Sequence, residues 1–480
     1  MEDFEQLSLF DEFLTEYKIT KPVRLISFFS GIEAQFKALS YLGQKLNVPV
    51  FSYKTCEWAY NSIIACNAIH NRDFTDYSRD LTKEELVSKL FGISVNYNEP
   101  LALEQLSKRP ISWLRNAYNN CVANHNLLNI MNVKGSDLDI VETDKYEYIL
   151  TYSFPCQDLS LAGKRAGMDT SQSDGGTRSG LLWEVERILG ECKELGTMPN
   201  VLVMENVPQI HSEKDYPNFE KWMLRLEELG YCNFYTDLNA KDFGIPQNRE
   251  RTFMVSILGS DINYKFPRPF ERKYNLKDLL EEHVNHKYYL SEKMVAYLTG
   301  INQKKTKYDR AEVFERNLDP NKEIAATITT AAGQRATDNF VVENEEFLTE
   351  YIKIRENTKD GYRFATEGDG INISSRMKHQ RGNVQYGMSQ TLKTSCEVGV
   401  LDRNFKIRKL TPKEAMRLMA FQDEDTQHMY ECGLTDSAIF HCAGDSICVN
   451  VLIAVFGKLF GLEQQQIKEI IYDYIETIKE

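Results

Sequence analysis

Apolar and polar positions along the chain switch between two periods. Val23-Arg24-Leu25-Ile26-Ser27-Phe28-Phe29 is a nearly continuous apolar run of strand length. Ser30-Gly31 then turns it into an amphipathic pattern over Ala34–Leu42 that predicts a helix. Val50–Tyr53 predicts a second strand, ending at Cys56-Glu57-Trp58. Tyr148–Phe154, Val201–Met204 and Phe253–Leu258 predict further buried strands, with helices over Leu181–Leu195 and Phe219–Leu229 between them. Strands alternating with helices indicate an α/β fold on a mostly parallel sheet.

Two stretches break the alternation. Residues 70–133 are longer than a crossover needs. Thr82-Lys83-Glu84-Glu85 reads as a capping box before Leu86–Leu90, and Ile111–Met131 has helical periodicity, so the stretch predicts a helical insertion. Residues 259–405, rich in Tyr, Thr, Asn and Gly with short β-type runs, predict a smaller, irregular β-rich domain. The helical pattern returns at Thr411–Phe421, with Thr at the N-cap and Pro in the first turn, and Gly444-Asp445-Ser446 precedes an apolar helix at Ile447–Leu459. The expected layout is an N-terminal extension (1–20), a main domain (21–258), the smaller domain (259–405), a return to the main domain (406–462) and an amphipathic helix (463–480).

A chain of 480 residues can bury one large core or two to three ordinary domains. No apolar run approaches a membrane span, and the start Met-Glu-Asp-Phe-Glu is acidic where a signal peptide is basic, so an intracellular protein without a membrane is expected. The 10 cysteines include no Cys-x-x-Cys pair, which favours reduced thiols over disulfides or a zinc ribbon. Neither Cys432, His441, Cys442 and Cys448 nor His283 with His286 has zinc-site spacing, and no metal is expected. The formal charge of −13 speaks at first against nucleic acid. Yet residues 351–410 hold 12 basic and 6 acidic residues, a net +6 that leaves −19 for the remainder. Because fields are screened within about 10 Å, such a surface can still meet a polyanion.

Candidate chemistry lies at the strand ends. Ser153-Phe154-Pro155-Cys156-Gln157 follows a buried strand and opens the polar, Gly-containing stretch 158–180. A lone Pro-Cys is more often a structural thiol than a nucleophile, so its companions decide. The glycine turn after the first strand suits a nucleotide-like ligand at a helix N-terminus. Glu57 is placed to accept from ribose hydroxyls and Trp58 to cover an adenine, although singly they read as a loop acid and a core aromatic. Glu205, after four apolar residues, is a carboxylate at a buried strand tip, where desolvation raises its pKa toward that of a proton donor. Gln247-Asn248-Arg249-Glu250-Arg251 sets two guanidinium groups on one side of an extended segment, suited to a carbonyl oxygen and a phosphate.

Taken in order, these runs resemble the DNA (cytosine-5) methyltransferase family of prokaryotic or phage restriction–modification type. The resemblance spans nearly the whole chain. Pro155-Cys156-Gln157 with Ser160 and Gly163 matches the nucleophile motif, Glu205-Asn206-Val207 the acid motif, and Gln247-x-Arg249-x-Arg251 the arginine motif. Arg408-Lys409-Leu410-Thr411-Pro412 through Leu418 resembles the helix closing the recognition domain, and Gly444-Asp445-Ser446-Ile447 the last cofactor motif. The sequence departs from the family pattern at Ser27, where Asp is common, Glu33, where Gly is common, and Asp445, where Asn is usual.

The resemblance implies a Rossmann-like S-adenosylmethionine-dependent methyltransferase fold with a target-recognition domain at 259–405. It implies that Cys156 adds to C6 of a cytosine flipped from double-stranded DNA. Glu205 then protonates N3, Arg251 binds O2 and Arg249 positions backbone or loop, while 158–180 closes behind the base. S-adenosylmethionine, leaving as S-adenosylhomocysteine, is expected on Phe29, Gly31, Glu57, Trp58, Pro155 and Asp445, with Asp137, or alternatively Asp139, at the adenine amino group. DNA contacts are expected from Gln157, Ser160 and, in the acid-free stretch 370–396, from Arg376, Lys378, Arg381 and Lys393. A monomer acting at the nucleoid in the cytoplasm, with or without a separate endonuclease for the same site, completes the expectation. A tRNA cytosine-5 methyltransferase, a catalytically idle DNA-binding protein and a nicotinamide-dependent oxidoreductase are the rival readings.

Overall fold

A computed structural model describes residues 15–97, 99–154, 181–291, 295, 351–374, 381–394, 397–403 and 406–479. The chain divides into two compact units, one of residues 1–274, 391–395 and 412–480, the other of 275–390 and 396–411.

The first unit is built on six strands: β1 (Val23–Phe28), β2 (Val50–Cys56), β3 (Glu147–Tyr152), β4 (Val201–Asn206), β5 (Tyr231–Asn239) and β6 (Glu250–Leu258), in the order β2-β1-β3-β4-β6-β5. β1 pairs in parallel with β2 and β3, and β3 with β4, whereas β6 is antiparallel to both β4 and β5. β3 and β4 are buried throughout, as strands with both faces covered must be, which explains their unbroken apolar runs. Helices α6 (Leu182–Leu195) and α7 (Tyr216–Leu229) bury Val185, Ile188, Leu189, Phe219, Trp222 and Leu226 against Tyr148, Leu150, Tyr152, Leu202 and Met204. The spacing of those helical positions is one stripe of a 3.6-residue period. Helix α1 (Ala34–Leu46) packs on the apolar helix α11 (Val449–Leu459).

The insertion has its own core. Helices α3 (Lys83–Lys89), α4 (Leu103–Ser107) and α5 (Ile111–Ala123) join α2 (Tyr60–Cys66) around Ile63, Leu86, Leu90, Leu106, Leu114 and Ala117. The capping box on α3 is formed, with Glu85 N–H donating to Thr82 Oγ1 (3.2 Å) and Thr82 N–H to Glu85 Oε2 (2.8 Å). Helix α5 stops well before Met131: the chain turns at His125 (φ 49°) and Asn126 bridges in parallel to Thr55 of β2.

Three expectations need correction. Residues 259–274 belong to the first unit, because Ile262–Asn263 pairs with Thr15–Glu16 and the Tyr264 hydroxyl donates to the Val455 carbonyl (3.0 Å). Residues 406–411 belong to the second, since β12 (Ile407–Lys409) completes its sheet. Finally, Asp436–Leu459 reaches the length and hydropathy of a membrane span, with a mean of 1.8 over its most apolar window, of which 83% is buried in the fold. That stretch is two helices, α10 (Asp436–Asp445) and α11, separated at Ser446–Cys448; α8 (Pro412–Leu418) and α9 (Asp423–Glu431) precede them and α12 (Gln464–Glu476) ends the chain.

The second unit holds a hairpin of β7 (Ile352–Arg355) with β8 (Tyr362–Ala365) and an antiparallel sheet in which β9 (Gly370–Asn372) lies between β10 (Val384–Gln385) and β11 (Val398–Leu401), with β12 beyond β11. Ile354, Ala365, Ile371, Val384, Leu401 and Ile407 form its core. Buried Glu356 accepts from Arg363 Nε (2.8 Å) and from the N–H groups of Gly382 and Asn383 (both 3.0 Å), tying the hairpin to the segment before β10.

Leu114→Ala, in the insertion core, is expected to cost about 2–5 kcal/mol, because a fully buried leucine leaves a cavity there. Urea unfolding of the full chain followed by circular dichroism measures it.

Candidate active site

The carboxyl ends of four strands meet at one sheet edge, where open α/β sheets bind ligands. β1 ends at Phe28, in register with Cys56 of β2 and Tyr152 of β3. β6 runs the other way, so its beginning lies at this edge: Asn206 pairs with Thr252, which brings Arg251 beside Glu205. A cavity of about 190 Å3 opens here, lined among others by Phe29, Gly31, Glu57, Trp58, Phe154, Glu205, Arg249, Arg251 and Asp445.

The turn after β1 passes through three left-handed residues, Phe29 (φ 54°), Gly31 (φ 54°) and Glu33 (φ 55°). A Cβ on Gly31 would meet no atom within 4 Å, so the backbone conformation, not crowding, favours glycine there. Glu57 pins this turn to the tip of β2: Gly31 N–H donates to its Oε2 (2.9 Å) and Ala59 N–H to its Oε1 (2.7 Å). Burial pushes the Glu57 carboxyl above its ordinary range, and those backbone bonds oppose the rise.

Glu33 and Ser27, two positions where the sequence departs from the family pattern, are joined. Glu33 accepts from Ser52 Oγ (2.8 and 3.0 Å) and Ser27 Oγ (3.3 Å), and the Cys66 thiol lies 3.6 Å away. All these partners are neutral, and burial raises the carboxyl to about 7. Among the described residues, Glu33, Cys66 and His70 are the group whose ligand-type atoms lie within 4.8 Å of one another. His70 Nε2 is engaged by the Ile32 carbonyl (2.9 Å).

Glu205 is 8% exposed, and Arg251 Nε lies 3.1 Å from its Oε1. Burial raises its pKa, while the charges of Arg251 and Arg249 work against the rise. Next to it, Asn206 Nδ2 donates to the Phe154 carbonyl (3.2 Å), holding the end of the segment that follows β3. The buried Arg249 guanidinium donates to three backbone carbonyls, Leu392 (3.2 Å), Gly444 (3.1 Å) and Ser446 (2.7 Å). Gly444 must be small: a Cβ there would come within 2.6 Å of Thr394 N.

Asp137 and its alternative Asp139 do not reach the cavity. Asp137 accepts from the Lys134 N–H (2.8 Å) in a short 3-10 turn, and Asp139 from the Tyr53 hydroxyl (2.9 Å). Asn129 and Ile130 line the wall instead. Paired bonds between Glu57 and Asn126 (3.0 and 2.9 Å) hold the returning chain against β2, so the residues just beyond Asn126 arrive at the cavity. The sequence reading also missed Tyr97, Ser62 and Leu181 in its lining. Arg381 is exposed on the second unit, its Nε donating to the Asn357 carbonyl (3.2 Å). Lys393 is exposed but belongs to the first unit, beside Gly444. Pro155, Cys156, Gln157, Ser160, Arg376 and Lys378 lie outside the described residues.

The family model for C-5 cytosine-specific DNA methylases matches residues 111–461. The chain belongs to that family. The type II methyltransferase M2.ScrFI of Lactococcus lactis subsp. cremoris is 34% identical over 443 residues, spanning 91% of this chain and 99% of the relative. The orphan methyltransferase M.SssI of Spiroplasma monobiae is 28% identical over 451 residues, spanning 92% and 98%. Among solved structures, the Entamoeba histolytica methyltransferase EhMeth aligns with a TM-score of 0.51 over 92% of this chain and 99% of its own at 15% identity, a likeness of fold alone. This methylase is a DNA cytosine-5 methyltransferase of restriction–modification type, with DNA as substrate and S-adenosylmethionine as methyl donor. The oxidoreductase reading falls with that finding.

Two measurements test the site. Arg249→Lys replaces a planar fork, whose Nη1 serves Leu392 and whose Nη2 serves Gly444 and Ser446, with one ammonium that cannot reach both sides, so at least one carbonyl loses its donor at about 1–3 kcal/mol and the thermal midpoint should fall by a few degrees. The raised Glu33 pKa favours the protonated folded state, so its contribution is whole below about 4.5 and is lost as pH rises toward about 7. Glu33→Gln should flatten that decline in pH-dependent urea midpoints.

Proposed function

We propose that the methylase modifies cytosine by covalent catalysis from Cys156, with Glu205 and Arg251 holding the base. The observation that carries this reading is the buried Glu205 carboxyl, raised by desolvation and facing Arg251 across 3.1 Å at the cavity edge. Cytosine C5 is too weakly nucleophilic to be methylated directly. The Cys156 thiolate forms a bond to C6 of a flipped-out cytosine, Glu205 donates a proton at N3 and Arg251 donates to O2, so C5 gains enamine character. C5 then forms the new carbon–carbon bond to the donor's methyl group, whose carbon–sulfur bond would break with its electron pair kept by the departing S-adenosylhomocysteine. Loss of the C5 proton to a base breaks the sulfur–C6 bond and returns the thiolate, and N3 gives its proton back to Glu205. Arg249, spent on three backbone carbonyls, fixes the 444–446 turn and is kept from the base.

The cavity residues fit the methyl donor. Each Glu57 oxygen accepts one backbone N–H and keeps lone-pair capacity for ribose hydroxyls. Phe29 and Trp58 offer aromatic surface to an adenine, Asn129 a polar edge, and the Asp445 carboxylate an acceptor for an ammonium group. When bound, S-adenosylmethionine supplies an electrophilic methyl group.

The second unit, 275–390 with 396–411, is read as the target-recognition domain, with Arg381 among its DNA contacts. The enzyme is read as a cytoplasmic monomer that marks a short duplex sequence for protection or modification. The relatives' names support either setting, since one is a type II methyltransferase and the other an orphan.

Bisulfite sequencing of a plasmid from cells expressing the chain should reveal conversion-resistant cytosines within one short sequence. Cys156→Ala should abolish them while the purified variant still binds S-adenosylmethionine calorimetrically. Glu205→Gln should lower kcat about 10²–10⁴-fold. Substantial methylation by Cys156→Ala would refute the nucleophile assignment.

A further inference from the structure

Tyr97 stands after α3 in the helical insertion, in a left-handed backbone conformation (φ 63°) that costs a tyrosine free energy unless its surroundings enforce it. Two contacts enforce it. Its ring stacks on His441 with centroids 3.5 Å apart and planes 12° from parallel, and its hydroxyl accepts from Asn61 Nδ2 (2.9 Å). His441 lies on α10, where its Nδ1 is 3.0 Å from Asp445 Oδ2. A side chain from the insertion is thus built onto the helix that carries a cavity carboxylate. Tyr97 lines the cavity together with Ser62, Glu57 and Asp445. His441 covers one ring face.

We propose that Tyr97 is a cofactor-binding residue, and that the insertion serves the reaction by delivering this ring to the wall of the S-adenosylmethionine cavity. The proposal rests on the reading of that cavity as the cofactor site. An aromatic ring pressed on a bound ligand contributes both apolar burial and ring contacts, and its stacked platform removes the entropy cost of ordering it on binding.

Calorimetric titration of the purified full chain with S-adenosylmethionine and with S-adenosylhomocysteine tests it. Tyr97→Ala should weaken binding of both at least about tenfold, while Tyr97→Phe, which keeps the ring, should bind within about threefold of wild type. Circular dichroism without ligand shows whether each variant is folded. Should Tyr97→Ala fail to fold, amide hydrogen exchange on the wild-type chain decides: S-adenosylmethionine should slow exchange around Tyr97, and unchanged exchange there overturns the proposal. A folded Tyr97→Ala that binds both ligands like wild type also overturns it, while leaving the cofactor reading intact. A wild-type chain that binds neither ligand sinks the cofactor reading beneath it.

Discussion

The antiparallel pairing of β4 with β6 is the constraint on which the site rests. In a wholly parallel sheet only strand ends gather at the carboxyl edge, and the arginine-bearing start of a nine-residue strand would lie about 30 Å away. Reversal places the start of β6 at that edge and sets Thr252 against Asn206. Glu205 can then be buried, because a guanidinium reaches it from the neighbouring strand. The turn feeding β6 is held by Asn239, whose side chain accepts from the Arg249 N–H (3.1 Å), and by Asn450, which donates to the Phe243 carbonyl (2.7 Å).

That same strand start locks the C-terminal return onto the sheet. Gln247 donates to the Leu418 carbonyl (2.6 Å) and accepts from the Leu392 N–H (3.0 Å), and Arg249 satisfies carbonyls of Leu392, Gly444 and Ser446. Buried polar bonds of this kind are costly when broken and specific in geometry, so they hold one arrangement. Cavity residues far apart in sequence, Phe29, Glu205 and Asp445, are kept together by a network of which Gln247, Leu392, Leu418 and Ser446 lie outside the cavity lining.

How much of this was legible in the sequence follows from what each element buries. β3 and β4, covered on both faces, wrote themselves as apolar runs. Strand β5, a sheet edge with only Tyr231 and Leu238 buried, has no such run and was missed. Helical periodicity overran the end of α5, because the turn at His125 depends on a bridge to Thr55, a contact of long sequence separation. The family resemblance points to Asp137 or Asp139, at a place where the insertion blurs the alignment. Asn129 lines the cavity instead, because Asn126 anchors the returning segment to Glu57. The paired departures at Ser27 and Glu33 were visible as separate oddities, but only folding shows that one answers the other. The placement of Glu205, Arg249 and Arg251 at the strand tips was legible, since residue type and strand position suffice for it.

Three carboxyls near this edge, Glu33, Glu57 and Glu205, share a rise caused first by burial, and their partners differ in a way that separates their tasks. Glu33 meets only hydroxyls and a thiol, whose hydrogen bonds offset burial in part and leave the carboxyl raised to about 7. It bridges β1, β2 and α2 through Ser27, Ser52 and Cys66. Glu57 meets backbone N–H groups, which favour the anion and leave acceptor capacity on both oxygens, the property a hydroxyl-binding residue requires. Glu205 meets guanidinium charge in a desolvated setting, where burial pushes the carboxyl up and the charges of Arg251 and Arg249 pull it back down. One sheet edge therefore holds the same side chain in three settings, distinguished by whether hydroxyls, amides or an arginine face it, and the proposed roles of bridge, acceptor and acid follow those settings.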